Sequence, residues 1–359
     1  MGEKNHENIS AETLMNANFN LTDPNRRRFL KTLAALTAST LVPGCGEKSA
    51  STSAKIMTVL GPILASDLGK TLPHEHIMVD FIGADQTGPH RWDDQEVVET
   101  MLPYLQAIRD QGVQAFFDCT PAYLGRDVGI LERLSRATGM HIITNTGFYK
   151  EPYLPQRVFD RDADAIASEW IAEWQYGIDG TPIKPGFIKI AVHRELLKPT
   201  QEKIVRAACR THNATGLAIA CHTGHGPAAL QMLDILQEEG TPAHALIVVH
   251  ANSEKDVTFH EKIAARGAWV EYDNIGSWEP QKHIELIQRM LDKGYKDRLL
   301  LSMDRGWYRV GEPGGGEVKP YTYLFGEFVQ EMASAGIRRD IIQTLTVDNP
   351  ARAFTIDKT

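Results

Sequence analysis

The 359-residue sequence predicts an α/β fold, a single (β/α)8 barrel in which eight parallel strands alternate with helices. Three observations support this prediction. Eight short and nearly continuous apolar runs follow residue 56, longer amphipathic patterns separate them, and glycines stand where those patterns end. A doubly wound sheet is the alternative, but such a sheet normally carries a Gly-rich phosphate turn after its first strand. This sequence has none there.

The predicted strands are apolar almost throughout, which is typical of parallel strands buried on both faces. They cover residues 71–79, 115–120, 141–147, 187–192, 217–223, 245–251, 268–274 and 299–304. Two short apolar segments on either side of Gly61 precede them and predict a hairpin that closes the bottom of the barrel.

The predicted helices place apolar residues at i, i+3 and i+4, so that each helix covers the sheet with one face. They cover residues 95–111, 126–138, 162–176, 199–212, 227–239, 253–266 and 281–293. Most of them end at a glycine, the residue best suited to the left-handed position after a helix.

The first 45 residues predict an export signal rather than part of the barrel. Arg26 to Lys31 form a basic flank with a twin-arginine order, and a short apolar run follows, ending at Gly44-Cys45. We therefore expect the twin-arginine machinery to export the protein to a bacterial periplasm. Gly44-Cys45 resembles a lipoprotein cleavage site, which leaves a lipid anchor at Cys45 open. Residues 46–55 predict a flexible tether, and residues 56–359 form the barrel domain.

Composition narrows the class of partner. A net charge of −8 argues against a nucleic-acid partner and against attachment through a basic membrane-binding surface. The four cysteines include no C-x-x-C pair, so we expect neither a disulfide framework nor a thiolate zinc site. A small-molecule substrate is the expected partner.

Barrel enzymes place their chemistry at the C-terminal ends of the strands, and six polar residues stand at or near those ends here. Any single histidine could be a core residue with satisfied hydrogen bonds, and a single aspartate could cap a turn. Together, at one end of one barrel, they predict a metal centre. The six residues are His74, His76, Lys189, His222, His250 and Asp304.

Their chemistry suits two divalent ions. Imidazole and carboxylate ligands favour zinc, with manganese or cobalt as alternatives. His74 and His76 are two positions apart on one strand and therefore share a face. Lys189 lies within a buried strand, where a charged lysine is costly unless paired or neutralised. As a neutral amine it can react with carbon dioxide to form a carbamate, which could bridge two metals.

With these residues in place, residues 56–356 resemble the phosphotriesterase family of the amidohydrolase superfamily. The resemblance implies that His74, His76 and Asp304 hold a buried metal and that His222 and His250 hold a more exposed one. Carboxylated Lys189 would bridge them, and the enzyme would be a homodimer. The matching stretches are Thr-Leu-Pro-His-Glu-His, Phe-Ile-Lys-Ile-Ala, Cys-His-Thr-Gly, Val-Val-His, Leu-Ser-Met-Asp and the closing Thr-Val-Asp-Asn-Pro-Ala-Arg.

The implied reaction is hydrolysis without a covalent enzyme intermediate. A hydroxide held between the metals attacks the substrate, and Asp304 takes its proton. We expect an ester or lactone substrate, as for the lactonases of this family, with organophosphate triesters as a side activity. A dedicated phosphotriesterase (aryldialkylphosphatase) is one alternative. A non-catalytic metal- or ligand-binding lipoprotein on the same barrel is another.

The substrate pocket is predicted mainly from the loops after the seventh and eighth strands of the barrel. Asn274 stands where triesterases of the family have a relay histidine and its lactonases an arginine, and Ser253 replaces an acidic partner of that relay. Tyr149 resembles a pocket tyrosine of the lactonases. An aromatic wall would favour an apolar ester or lactone over a sugar phosphate. Its predicted members are Trp278, Trp307, Tyr308 and Tyr321.

Overall fold

The computed structural model describes residues 54–356. The predicted export signal and residues 46–53 of the predicted tether lie outside this range, so both stay predictions. Lys55, the last residue of that tether, already belongs to the first strand. Within residues 54–356, every helix is too short or too polar to cross a membrane.

The strands begin with the predicted hairpin, in which Thr58 pairs with Gly61 across an antiparallel turn. The long strand that carries the histidine pair follows, and all nine of its residues are buried. In chain order the strands are β1 Lys55–Thr58, β2 Gly61–Leu64, β3 Thr71–Val79, β4 Ala115–Asp118, β5 His141–Ile143, β6 Asn145–Thr146, β7 Phe187–Ala191, β8 Ile219–His222, β9 Leu246–Val249, β10 Trp269–Tyr272, β11 Leu299–Leu301 and β12 Gly306–Arg309.

The strand order confirms the predicted (β/α)8 barrel. One parallel sheet has the order β12-β3-β4-β5 and the other β6-β7-β8-β9-β10-β11, and only Thr144 separates β5 from β6. The segment after β11 returns to β3, where the amide of Asp304 donates to the carbonyl of His74 at 3.1 Å. The amide of His76 then donates to the carbonyl of Arg305 at 2.9 Å. Neighbours in sequence are thus neighbours in the sheet, as the fold requires.

The helices lie between the strands as predicted. The carboxylate of Asp93 caps the first helix by accepting from the amides of Gln95 and Glu96. The helices are α1 Asp94–Asp110, α2 Val128–Thr138, α3 Arg157–Asp160, α4 Ala163–Tyr176, α5 Pro199–Thr215, α6 Gly226–Glu238, α7 Thr258–Ala265, α8 Pro280–Asp292, α9 Val329–Ser334, α10 Arg339–Gln343 and α11 Asn349–Ala353.

Two features differ from the prediction. The helix expected from residue 253 begins only at Thr258, because a 3-10 turn over Ala251–Ser253 comes first. Several strands are also shorter than predicted, and a left-handed residue lies one to three residues beyond the ends of β9, β10 and β11. His250, Asn274 and Asp304 have φ angles of 62°, 57° and 53°. Such angles are uncommon outside glycine and turn the following chain away from the sheet.

Two apolar layers hold the barrel together. Alternate strand residues face inward, and at the bottom Phe354 packs against Phe117 with ring centroids 4.1 Å apart. Residues facing outward pack under the helices, as Phe116 does against Tyr321 at 5.2 Å. The interior is therefore a filled core, and the polar residues of the strands are left for its C-terminal end.

Gly147 follows β6 where this strand end comes closest to β7. Its φ is 120°, and a Cβ there would lie 2.1 Å from the carbonyl oxygen of Lys189. We expect Gly147→Ala to force the two strands apart and to lower the free energy of unfolding. Gly139→Ala is the matched control, because Gly139 also has a positive φ but no atom within 4 Å of its Cβ position.

The difference between these two variants measures the steric clash together with the greater backbone cost of a φ of 120° compared with 68°. We expect Gly147→Ala to lose about 1–3 kcal/mol more than Gly139→Ala, measured by urea unfolding. Equal losses would show that the strands are free to separate at this point.

Candidate metal centre

His74 and His76 point to the same face of β3, with ring centroids 5.5 Å apart. Nδ1 of His74 donates to Oε1 of Glu271 at 2.6 Å, and Nδ1 of His76 lies 2.8 Å from Oγ1 of Thr120. The Thr120 hydroxyl donates its own proton to the carbonyl of Met78, so it can only accept from His76. Both histidines therefore keep Nε2 free of a proton when neutral.

Asp304 faces these two nitrogens. Its Oδ1 lies 3.2 Å from Nε2 of His76 and 3.8 Å from Nε2 of His74. This oxygen is buried and has no hydrogen-bond donor among the described residues. Burial lowers the pKa of His76 to about 4, which keeps the ring neutral. Two lone pairs thus face each other without a proton between them, an arrangement that a cation would stabilise.

The carboxylate of Asp304 stays ionised at neutral pH. Burial alone would raise its pKa, but the contacts with His76, His74 and His250 outweigh burial and hold the pKa well below its ordinary value. The donor set of His74, His76 and Asp304 therefore fits a divalent metal, with ligand atoms within 4.8 Å of one another.

Glu75 fixes Asp304 from the opposite face of β3. Its Oε1 accepts from Oγ of Ser302 at 2.8 Å and from the amide of Met303 at 2.9 Å. Its Oε2 accepts from the amide of Arg305 at 2.7 Å. Asp304 is held on both sides in its left-handed conformation, which explains how a strained backbone persists at this position.

His222 and His250 form a second group at the ends of β8 and β9. Nδ1 of His222 lies 2.7 Å from Nε2 of His250. Burial, with the neighbouring His250, lowers the pKa of His222 well below its ordinary value, so this ring is neutral. Oδ2 of Asp273 accepts from the amide of His250 at 2.9 Å and lies 2.8 Å from its Nδ1. Asp273 therefore positions His250.

Lys189 joins the first group from β7. Its side chain is 1% exposed, and its Nζ lies 3.1 Å from Nε2 of His74. Within residues 54–356, no carboxylate lies within ion-pair distance of this nitrogen. His74 also touches the second group, because its ring centroid lies 5.1 Å from that of His250. All six predicted residues therefore belong to one connected cluster.

Glu271 and Asp273 were not among the predicted site residues. They are two positions apart at the end of β10, the same spacing that singled out His74 and His76. With Asp304 they place three carboxylates around the histidines. Burial lowers the pKa of His74, but Glu271 and Asp273 contribute to holding it above its ordinary value. In the absence of a metal, a proton on His74 thus compensates part of this negative charge.

Aromatic residues cover the cluster on its outer side. Trp307 lies 5.2 Å from the ring of His76 and donates Nε1–H to the carbonyl of Asp304 at 3.2 Å. The hydroxyl of Tyr149 lies 3.1 Å from Nδ1 of His222. Phe81, which the sequence did not single out, lies between them, 5.7 Å from Trp307 and 6.5 Å from Tyr149. Tyr153 completes this aromatic wall, 5.2 Å from Phe81.

The prediction for Tyr308 is wrong. Its hydroxyl donates to Oε1 of Glu96 in α1 at 2.9 Å, so it faces away from the strand-end site, opposite to Trp307 on β12. Tyr321 is fully buried and donates to the carbonyl of His76 at 2.6 Å, so it supports β3 rather than lining a pocket. Trp278 packs on His283 of α8 at 5.4 Å, at the rim.

Asn274 lies beside the cluster, as predicted, but its side chain is turned toward Asp273. Its Nδ2 donates to Oδ1 of Asp273 at 2.5 Å. It is partly buried and has the left-handed φ of 57°. An amide cannot carry a proton at neutral pH, so Asn274 can orient Asp273 but cannot relay protons.

Lys150 is a further residue that sequence reasoning missed. Its Nζ lies 2.8 Å from Nε2 of His222 and donates to the carbonyl of Val192 at 3.3 Å. Burial, with the charge of Arg194, lowers the pKa of Lys150. The only sequence signal is its place next to Tyr149, at the end of a barrel strand.

Histidines, carboxylates and a buried lysine at the strand ends of a barrel define a metal-dependent enzyme as the class of protein. The chain belongs to the phosphotriesterase family, whose model matches residues 54–354. Members of this family are binuclear metal-dependent hydrolases that act on small molecules. The protein is therefore a hydrolase of this family.

The relatives carry several different names. A phosphotriesterase homology protein of Escherichia coli (strain K12) is 29% identical over 292 residues, covering 80% of this chain and 98% of the relative. An aryldialkylphosphatase of Saccharolobus solfataricus is 28% identical over 304 residues, covering 82% and 97%. An N-acetyltaurine hydrolase of Rattus norvegicus is 26% identical over 348 residues, covering 85% and 99%. The similarity thus establishes the family, and the substrate has to be argued from the site.

Thr120 should matter for metal binding although it is not a ligand. Thr120→Val removes the oxygen that accepts from Nδ1 of His76, so the ring is free to rotate or to change tautomer. We expect metal affinity to fall about 10–100-fold, measured by competition with a chromogenic chelator.

The control for this variant is Thr211→Val. Thr211 is also buried and donates to a backbone carbonyl, that of Ala207, but it lies in α5 away from the cluster. Its replacement should leave metal affinity unchanged. Equal affinity in all three proteins would contradict the orienting role of Thr120.

Proposed function

We propose that the protein hydrolyses a carboxylic ester or lactone with two divalent metal ions, and organophosphate triesters as a side activity. The observation that carries this proposal is the buried pair of Asp304 Oδ1 and His76 Nε2, 3.2 Å apart in a group of residues that could hold a metal ion. The cluster around this pair lies under an aromatic wall and offers ligands for two ions.

His74, His76 and Asp304 would hold one ion, and His222 and His250 the other. Lys189, as a carbamate, would connect them. Bound there, zinc (or manganese or cobalt) supplies an activated water and a Lewis acid that polarises the substrate. The neutral state of His76 and His222 supports this assignment, because only the neutral imidazole binds a metal.

Asp304 is the residue placed to take a proton from the attacking water. Its carboxylate lies between the two groups, with Oδ1 near His76 and Oδ2 3.9 Å from Nδ1 of His250. The low pKa of this carboxyl keeps it ionised at neutral pH, the form that can accept a proton. Asn274 cannot carry this proton further, because its amide does not titrate at neutral pH.

The pocket supports an ester or lactone. Phe81, Tyr149, Tyr153 and Trp307 present apolar ring surfaces to the substrate. Burial raises the pKa of the Tyr149 phenol, so it stays protonated and can donate a hydrogen bond. Such a donor beside His222 suits a carbonyl oxygen on which negative charge develops.

Export by the twin-arginine machinery, periplasmic location and a lipid anchor at Cys45 remain sequence predictions, since residues 1–53 lie outside the described structure. The homodimer is implied by family resemblance alone. None of these points affects the argument for the site, which lies within residues 54–356.

Carboxylation of Lys189 makes metal binding depend on carbon dioxide. The neutral amine adds to the carbon of CO2 and loses a proton, which leaves an anionic carbamate. We expect depletion of CO2 to lower the zinc affinity of the metal-free protein at least about tenfold, measured by chelator competition.

Two variants of Lys189 test whether the effect of CO2 on zinc affinity arises at this residue. Lys189→Glu carries a carboxylate of its own, so its zinc affinity should not respond to CO2. Lys189→Met should bind zinc weakly at any CO2 concentration. Equal zinc affinity of the unaltered protein with and without CO2 would rule out the carbamate.

Substrate choice is tested by comparing zinc-loaded turnover of δ-valerolactone, 4-nitrophenyl acetate and paraoxon. We expect kcat/KM to be highest for the lactone or the aryl ester. Values dominated by paraoxon would support the alternative, a dedicated phosphotriesterase.

The same panel tests catalysis itself. Asp304→Asn should lower kcat about 100–10,000-fold, because it removes the proton acceptor. Asp297→Asn is the control, since Asp297 pairs with Arg352 on the surface and should retain full activity. If the loaded protein hydrolyses no ester and Asp304→Asn changes nothing, the non-catalytic binding protein is the correct class.

A further inference from the structure

A positive charge lies beside the candidate site without a counterion. Nζ of Lys150 approaches His222 at 2.8 Å and Val192 at 3.3 Å, and the side chain is half-buried. Arg194, on the loop after β7, lies two residues beyond Val192, and its Nη2 donates to the carbonyl of Ser253 at 2.8 Å. Within residues 54–356, neither Lys150 nor Arg194 has a carboxylate within ion-pair distance.

The nearest carboxylate in sequence does not supply the missing charge. Glu151 follows Lys150 directly, but its Oε2 is turned to Nε2 of His193 at 3.5 Å. Two cations without a carboxylate partner within residues 54–356, one of them half-buried, are costly unless an anion compensates them. The proposed metal ions would add further positive charge next to them, so an anionic partner would be needed even more.

Both cations have hydrogen-bond donors to spare. An ammonium has three N–H donors, and Lys150 uses two of them, toward Val192 and His222. A guanidinium has five, and Arg194 uses one of them toward the carbonyl of Ser253. The oxygens of a carboxylate are suitable acceptors for these remaining donors.

We propose that Lys150 and Arg194 form an anion-binding subsite for a carboxylate that the substrate carries apart from its scissile bond. This inference rests on the proposed ester or lactone hydrolysis and specifies its substrate class. Trp307 lies against His76 and Lys150 against His222. A substrate with an apolar group at one end and a carboxylate at the other therefore matches the two sides of the site.

Two esters with acyl chains of equal length test the subsite. 4-Nitrophenyl hydrogen glutarate ends in a carboxylate, and 4-nitrophenyl pentanoate ends in a methyl group. With the zinc-loaded full chain, kcat/KM should be higher for the glutarate ester. The ratio of the two kcat/KM values should fall about 10–100-fold in Lys150→Met, the range expected for hydrogen bonds to a charged group.

Two further variants are controls for Lys150→Met. Lys150→Arg keeps the charge and should retain part of the preference. Lys293→Met removes one charge from an exposed lysine just after α8, paired only weakly with Glu261, and should leave the ratio unchanged. If the ratio is the same in Lys150→Met as in the unaltered protein, or if the unaltered protein has no preference, the subsite is excluded.

A second measurement does not depend on turnover. Isothermal titration calorimetry with glutarate, on the zinc-loaded and the metal-free chain, should show binding that Lys150→Met weakens at least about tenfold. Glutarate binding that depends on Lys150, with no hydrolysis of either ester, would leave the subsite standing and overturn the proposed function. Hydrolysis of both esters without preference, together with glutarate binding that is unchanged in Lys150→Met, would exclude the subsite and support the proposed ester hydrolysis.

Discussion

The hydrogen bonds that Glu75 accepts connect the first and the last part of the barrel, and the site depends on them. Ser302, Met303 and Arg305 all donate to its carboxylate, so one buried side chain of β3 holds the chain that follows β11. The same contacts set the position of Asp304 relative to His76. The contacts that join β3 to the chain after β11 thus also position Asp304 in the candidate metal centre. Side chains alternate along a strand, so Glu75 faces the chain after β11. His74 and His76, on either side of it, face the candidate metal centre.

Much of the fold and of the candidate site could be predicted from the sequence. The strand ends, the six clustered residues and the hairpin before β3 follow from apolar runs, spacing and turn residues. These signals are local in the sequence. The barrel then brings the residues at the strand ends close together in space. The bounds of the strands were less accurate, because a left-handed residue such as His250 is not visible in a pattern of polar and apolar residues.

The residues that surround the six clustered residues were harder to predict. Glu271 and Asp273 resemble ordinary charged residues at a strand end, and only the position of His74 and His250 gives them a role. Tyr308 and Trp307 are adjacent in sequence, so one had to face away from the site, and sequence alone did not decide which. Phe81 and Lys150 lie on loops, where side-chain direction depends on tertiary contacts rather than on period.

The left-handed residues after β9, β10 and β11 have a consequence for how this site can change over evolution. His250, Asn274 and Asp304 lie one, two and three residues beyond the ends of these strands. A β-branched side chain is strained in that conformation, so few residue types are tolerated at these three points. In the loops beyond them the same restriction applies at single positions such as Gly276, Gly306 and Trp307, whose φ angles are also positive. Mutations can therefore remodel the surface that meets the substrate while the backbone keeps the histidine and carboxylate ligands in place.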